Sequence, residues 1–437
     1  MKGEQARRPV FYGWVVVGAL GTTLFLSAGL GFYALGVFVT PLEDAFGWSR
    51  GQVSVAMTIS TVVSGLMGPV AGWLLGRWGS RKLLSTAAVV TGASFAAIGL
   101  TPALWYLYLA FVWMAVGRAG MMMVPASAIA ANWFVRRRGL ATGVMTAGIG
   151  LGGLVMAPAV ALLIDAVGWR GAFGALGAGM IAVALPLTLW VIRQHPSDLG
   201  LAPDGDPDDA QDDRRPDAAV RGLAGLDLAA TVRTPAFWSI TAALSLVFAT
   251  QSAMLLHVIP YLEGEGMERA RAAAVLGAIS GIGIAGKIGA GYAADRLSPR
   301  VVTASVFLVQ ACALAILLLV GAAPGLALFA ALFGVSMGSV VALQPLVLAD
   351  YFGLRAFASI MGVVTMFGMV ISALGPAAAG FIYDAAGSYT VAFTGFLAID
   401  VLAAALVLSS RRPVAACAAA GQGVSSRESL TPQEVAS

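Results

Sequence analysis

The sequence predicts an all-α membrane protein of twelve transmembrane helices, built as two six-helix bundles related by a pseudo-two-fold repeat. Three observations predict it. Of the 437 residues, 59% are hydrophobic and only 11% charged, against about 25% charged in soluble domains. Twelve apolar runs are long enough for the ~20 residues that cross a bilayer. The last six runs repeat features of the first six at one fixed offset of 219 residues.

The runs, called here the first to the twelfth span, fall at 12–38, 53–75, 83–101, 105–131, 140–163, 172–192, 237–259, 272–294, 301–320, 326–348, 360–382 and 391–408. Helices are expected, because lipid satisfies no open backbone group. The first run follows Arg7 and Arg8. It is about twice the ~7–15-residue core of a secretory signal, so it reads as a retained span.

Orientation follows the basic residues. With the N-terminus in the cytoplasm, twenty of the 26 Lys and Arg fall in inside segments, four fall outside (Arg50, Arg170, Arg269, Arg271), and Arg118 and Lys287 lie within spans. Both termini are therefore expected in the cytoplasm, and the site of residence is a cytoplasmic (inner) membrane. The expected domains are an N-terminal bundle (1–193), a cytoplasmic linker (194–233), a C-terminal bundle (234–412) and a tail (413–437). The stretch 195–220, rich in Asp, Pro and Gly, is expected to be mobile. "LDLAATVRTPAF" after it suggests a short helix on the membrane surface.

The repeat is visible in "GWSRGQVSV…GWLLGRWGSR" from Gly47 and "GMERARAAA…GYAADRLSPR" from Gly266. The same offset pairs Pro41 with Pro260, Arg136 with Arg355, Gly143 with Gly362, Thr146 with Thr365 and Asp165 with Asp384. Six helices repeated in the same orientation imply an axis along the membrane normal and a site between the halves at the midplane. Two cysteines and two histidines support no disulfide framework and no metal cluster. No cofactor and no nucleic-acid partner are expected; a monomer in the lipid bilayer is.

The loops after the second helix of each half, "GWLLGRWGSR" (72–81) and "GYAADRLSPR" (291–300), resemble the G-x-x-x-D-R-x-G-x-R motif of the major facilitator superfamily. That resemblance implies a latch made by the acid and the arginines: Asp295, Arg296, Arg77 and Arg81. Asp295 is expected to dock at the start of the fifth span, beside the arginines at 136–138. Gly76 stands where the first copy would have its acid, so gating is expected to be asymmetric. A narrower likeness is "WFVRRRGLATGVMTAGIGLG" (133–152). It is similar to the monocarboxylate transporter signature Y-F-x-K-R-R-x-L-A-x-G-x-A-x-A-G-x-x-x-G, with Trp133, Arg136 and Met145 as substitutions. "FYGW" and "HPSDLGL" are similar to bacterial members and to oxalate/formate exchangers.

An ionisable side chain at the centre of a membrane helix costs at least ~2.5–3.5 kcal/mol and needs water, a partner or both. Arg118, in the fourth span, offers a guanidinium fork that matches a carboxylate; pairing with Asp400 or with backbone carbonyls is the plainer alternative. Lys287 precedes Asp295 by eight residues, ~12 Å along a helix, so snorkelling to the interface competes with a ligand role. The resemblance implies a substrate-binding cation at this position, an arginine in the relatives. Animal members also carry an acid one turn earlier, where this chain has Gly283, and a lysine in the first span, which this chain lacks. Asp400 in the twelfth span is a candidate for proton coupling, and His257 for a pH-sensitive gate. Tyr33, Gln251 and Gln344 lie on the first, seventh and tenth spans, which line the cavity in the superfamily.

These readings converge on a secondary transporter of small organic anions, a monocarboxylate such as lactate or a related carboxylate, working by alternating access. One anion is expected to bridge Arg118 and Lys287, and proton symport and anion exchange both stay open. Drug efflux by the same architecture is the alternative, resting on Asp400 and "MMMVPA". No nucleophile–base or metal constellation supports an enzyme.

Overall fold

A computed structural model describes residues 11–205, 225–320 and 322–413. Among the described residues the chain is helical throughout, with no strand beyond an isolated bridge between Gly225 and Gly353. Among the described residues ten helical stretches are long and apolar enough to span a membrane, and with the shorter apolar helix Gly51–Leu66 they make twelve crossings. The helix Arg138–Pro186 is far longer than one span, and Gly168 breaks it at φ 72° into the fifth and sixth. Gly79, at φ 76°, divides the second from the third span in the same way. The second span is itself kinked at Met67, between the helices Arg50–Leu66 and Gly68–Gly99.

Two spans are broken where polar chemistry sits. The first runs as Tyr12–Ala28, a π-turn Gly29–Tyr33, a 3-10 turn Ala34–Phe38, and Val39–Phe46. The fourth stops at Ala119 and resumes at Met123, with Gly120 ending the first piece and Pro125 in the first turn of the second. Broken spans are tolerated in a bilayer only where protein or water satisfies the freed backbone groups.

Local chemistry starts the helices. Ser49 and Gln52 form a reciprocal capping box, at 3.2 and 2.9 Å, that opens the second span. Thr234 caps the seventh from the residue before Pro235. The expected short helix ahead of it is a single turn, Leu228–Thr231, capped by Asp227 at 2.6 Å. The linker departs from expectation. Residues 196–205 are folded, because the Asp204 carboxylate accepts the N–H groups of Val135 and Arg136 at 2.9 and 2.7 Å. The remainder of that stretch, 206–224, lies outside the described residues, as does the tail from 414. "FYGW" acts as a staple at this end: Phe11 and Trp14 pack on Phe134, and the Tyr12 hydroxyl donates to Val191 O at 2.9 Å.

The repeat recurs in three dimensions. Gly47 and Gly266, and Gly168 and Gly387, are pairs at the 219 offset with positive φ (68° and 84°, 72° and 69°). The two halves meet along two glycine seams that the same offset relates. In one, the eighth span packs on the fifth through Gly291 against Gly139, Lys287 against Gly143 and Ile284 against Gly150. In the other, the second packs on the eleventh through Gly72 against Ala358, Gly68 against Gly362 and Gly65 against Met369. A Cβ at Gly143 would lie 2.5 Å from the Lys287 carbonyl oxygen, and one at Gly68 2.8 Å from that of Gly362. Only glycine permits such backbone approach. From Gly139 to Gly150 is ~16 Å of helix, so each seam reaches about halfway through a ~30 Å hydrocarbon core. The molecule is shut on its arginine-rich face.

Candidate substrate-binding site

Arg118 is 5% exposed and sits in the last turn of Leu104–Ala119. A cation is favoured there by the helix dipole. Its Nη1 donates to the Gly31 carbonyl in the π-turn of the first span. Its Nη2 donates to Ser64 Oγ in the second span at 2.9 Å. Its Nε is buried with no hydrogen-bond partner. Of the plainer alternatives, pairing with Asp400 does not occur, and pairing with a backbone carbonyl does. The guanidinium thus fills the irregular turn and keeps a donor unused.

Lys287 is also 5% exposed. Its side chain runs back along its own helix, as helical side chains do, towards Gly283 O at 3.4 Å. A Cβ on Gly150 would meet its Nζ at 3.5 Å. It therefore turns away from Asp295 and the interface, so snorkelling is not what the structure shows. One long hydrogen bond leaves most of the ammonium's three donors unused. Among the described residues neither cation forms a salt bridge.

The two do not touch: the partners of Arg118 are all in the N-terminal half, and that of Lys287 is in its own helix. Their depth is nevertheless shared. Ser64, which holds Arg118, precedes Gly65 at the inner end of one seam, and Nζ of Lys287 lies at Gly150, the inner end of the other. Gly65–Met369 and Ile284–Gly150 are repeat equivalents. Both cations therefore stand where the sealed portion of the molecule ends.

The uncharged candidates divide. Gln344 is 6% exposed, and its amide has no hydrogen bond among the described residues. Gln251 donates to Gln310 Oε1 at 2.8 Å. The side chain of Tyr33 lies outside the described residues. Met121 and Met123 are buried and Met122 is partly buried against the core. His257 is held on both sides, Nδ1 3.0 Å from the Tyr389 hydroxyl and Nε2 3.0 Å from Pro376 O. Asp400 is fully buried against Gln310, at 3.2 and 3.1 Å. Neither faces Arg118 or Lys287.

The latch is asymmetric. Asp295 accepts Gly139 N–H at 2.5 Å and Leu140 N–H at 2.8 Å, at the start of the fifth span. Gly76 has open space around it. Arg77 and Arg296, repeat equivalents, stack on Trp73 and Tyr292 at 5.4 and 4.5 Å, while Arg81 is exposed.

Two functional candidates escaped sequence reasoning, Ser64 and Gln310. Gln310 carried a signal, a lone amide within an apolar ninth span. Ser64 carried none, because serine in a membrane helix usually bonds its own turn.

Residues 21–370 match the family model described as Major Facilitator Superfamily. The chain belongs to the major facilitator superfamily. Within it, the chain is 30% identical to mouse monocarboxylate transporter 11 over 392 residues, 87% of this chain and 83% of the relative. It is 30% identical to the human protein of that name over 410 residues, 91% and 81% of the two chains. Bovine monocarboxylate transporter 13 is 26% identical over 388 residues, 87% of this chain and 85% of the relative. Among solved superfamily structures, FucP in the outward conformation superposes with a TM-score of 0.71 at 15% identity, covering 92% of this chain and 100% of FucP. The human organic anion transporter MFSD10 gives 0.66 at 17% identity, with 92% and 100% covered; these two likenesses concern the fold. The protein is thus a multi-pass membrane transporter of the superfamily and not an enzyme.

Proposed function

We propose that the protein carries small organic anions, monocarboxylates or related carboxylates, by alternating access across a cytoplasmic membrane with both termini inside. The observation that supports this is a pair of buried cations, one per half, at one depth, without carboxylate partners and with unused donors. The names of the relatives agree: they are monocarboxylate transporters.

The mechanism follows from charge. Two cations facing one chamber repel and keep the halves apart on the side away from the seams. An anion that takes the free Nε of Arg118 and the ammonium of Lys287 removes that repulsion, and the unpartnered Gln344 is available to a second oxygen. A ligand shifts the equilibrium between states only through such a difference in affinity. The seam state, closed on the arginine-rich face, is then one end of the cycle, with Asp295 as its clamp. Proton symport and exchange are both compatible with this scheme. Efflux of cationic drugs would need an acid facing the chamber, and Asp400 is turned to Gln310 instead.

Uptake of lactate and of malonate into proteoliposomes tests the site. Arg118→Ala and Lys287→Ala should each lower uptake at least ~30-fold, the scale of a lost partner in a desolvated ion pair. Unchanged uptake in both variants would remove the site.

A further inference from the structure

Asp400 is a buried acid that the anion site does not use. The helix Thr390–Ser409 that carries it packs against the seventh, ninth and eleventh spans. From the seventh span Thr250 faces the carboxyl, and from the ninth Gln310 does. Among the described residues no charged or titratable group faces it from the eleventh span, and Cys312 in the ninth is on the exposed surface. A carboxylate so placed has no cation to offset its desolvation.

What it has is a chain of amides. Gln310 Nε2 donates to both Asp400 oxygens, at 3.2 and 3.1 Å. Gln310 Oε1 accepts from Gln251 Nε2 at 2.8 Å and from Ser336 Oγ at 3.3 Å. Gln310, Ser336 and Asp400 are each 0% exposed, whereas Gln251 retains 4%. Oε1 of Gln251 accepts no hydrogen bond among the described residues, so the chain ends there in a free carbonyl.

A primary amide is a donor at one end and an acceptor at the other, so the chain has a polarity, and the polarity is set by Asp400. As drawn it suits the ionised acid, which only accepts. A protonated acid must donate. Two acceptors lie beside its O–H: the Thr250 hydroxyl, which itself donates to Leu246 O and would leave Gln310 in place, and Gln310 Oε1, which the relay uses and which requires the Gln310 amide to reverse. The reversed Gln310 Nε2 donates to Gln251 Oε1, which requires Gln251 to reverse as well. Ser336 tolerates both arrangements, since it also donates to Phe333 O at 2.9 Å and has lone pairs for the second Gln310 N–H.

We propose that Asp400 is a proton-binding site whose charge state is passed through the Gln310 amide to Gln251, which offers the chamber a carbonyl when Asp400 is ionised and N–H groups when it is protonated. The proton comes from water and returns to it; one O–H bond forms and no other covalent bond changes. A carboxylate guest is repelled by the carbonyl and bound by the N–H groups. Protonation therefore tightens anion binding, and the anion raises proton affinity by the same factor. Gln310 is a positioning residue here, because it touches neither the guest nor the chamber. This effect on the guest rests on the anion reading above; the relay itself does not.

The test has two arms on the purified full-length protein. Infrared difference spectra between about pH 5 and about pH 9 should show a carboxylic-acid carbonyl band that Asp400→Asn removes. They should also show a side-chain amide shift that Gln310→Leu removes while the carboxylic-acid band stays. A difference spectrum unchanged by Asp400→Asn, or without that band, overturns the proposal. The second arm measures lactate and malonate affinity against pH in a Lys287→Arg background, where the chamber cation keeps its charge. Affinity should fall about tenfold with rising pH, the scale of one charge-assisted hydrogen bond. The profile should flatten in Asp400→Asn, Gln310→Leu and Gln251→Met. A slope that survives in these variants overturns the relay. If neither anion binds, the anion reading fails and the infrared arm still decides the relay.

Discussion

Asp295 closes the arginine-rich face by accepting two backbone N–H groups at the start of the fifth span, Gly139 at 2.5 Å and Leu140 at 2.8 Å. A carboxylate on a helix N-terminus gains from both the open N–H groups and the dipole. The repeat equivalents of these acceptor and donor positions are Gly76, Ala358 and Ser359. There the acid is missing, so one seam is clamped by a charge and the other only by packing.

Asp295→Ala should therefore shift the population away from the closed seam by about tenfold, since a partly buried contact of this type is worth up to ~2 kcal/mol. Spin-label distances between the arginine-rich ends of the eighth and fifth spans would read the shift. Gly76→Asp should do the reverse at the second seam, because it adds a carboxylate in open space facing an equivalent helix start.

The seams themselves predict a steric lock. Gly143→Val and Gly68→Val would each force side-chain atoms into a facing backbone carbonyl, of Lys287 and Gly362 respectively. Closure should fail in both, with transport lost and the arginine-rich face open to thiol reagents at an engineered Ser359→Cys. Folding within each half should be unaffected, so thermal stability should change little.

Arg118 can be disturbed without removing its charge. A Cβ at Gly31 would lie 2.6 Å from Arg118 Cδ, so Gly31→Ala should displace the guanidinium and lower anion affinity at least ~10-fold. Ser64→Ala removes one hydrogen bond, and the expected loss is about fivefold, or ~1 kcal/mol. Arg118→Lys should behave more like Arg118→Ala than like wild type, because an ammonium cannot serve Gly31 O, Ser64 and a guest with one rigid fork. Calorimetric titration with lactate or malonate ranks the three.

His257 is held by Tyr389 and Pro376, so it should be structural. Tyr389→Phe should lower stability by ~1 kcal/mol, while the pH profile of transport stays as in wild type. A profile displaced by Tyr389→Phe would return the histidine to the gate.

Much of the architecture was legible because its causes are local or periodic. Apolar run length and the 219-residue offset were enough to read the spans and the two-fold repeat. Even the docking of Asp295 near residues 136–138 could be read, since a motif fixes which helix end carries the acid. Run length separates the second span from the third and the fifth from the sixth, but it does not distinguish a single-glycine turn, as at Gly79 and Gly168, from a loop. The linker shows the opposite limit: its composition suggests mobility, yet the Asp204 carboxylate accepts the N–H groups of Val135 and Arg136, 69 and 68 residues away.

What the tertiary structure alone decided is who answers each buried polar group. The sequence leaves Lys287 a choice between the two ends of its helix; in the structure its ammonium lies inward, towards Gly283 O and beside Gly150. Asp400 looked like a partner for Arg118, but the two lie in different halves, and Gln310 was nearer. In a bilayer every such group must find a partner across helices, and which helices are neighbours is a property of the assembled bundle that no single span's sequence contains.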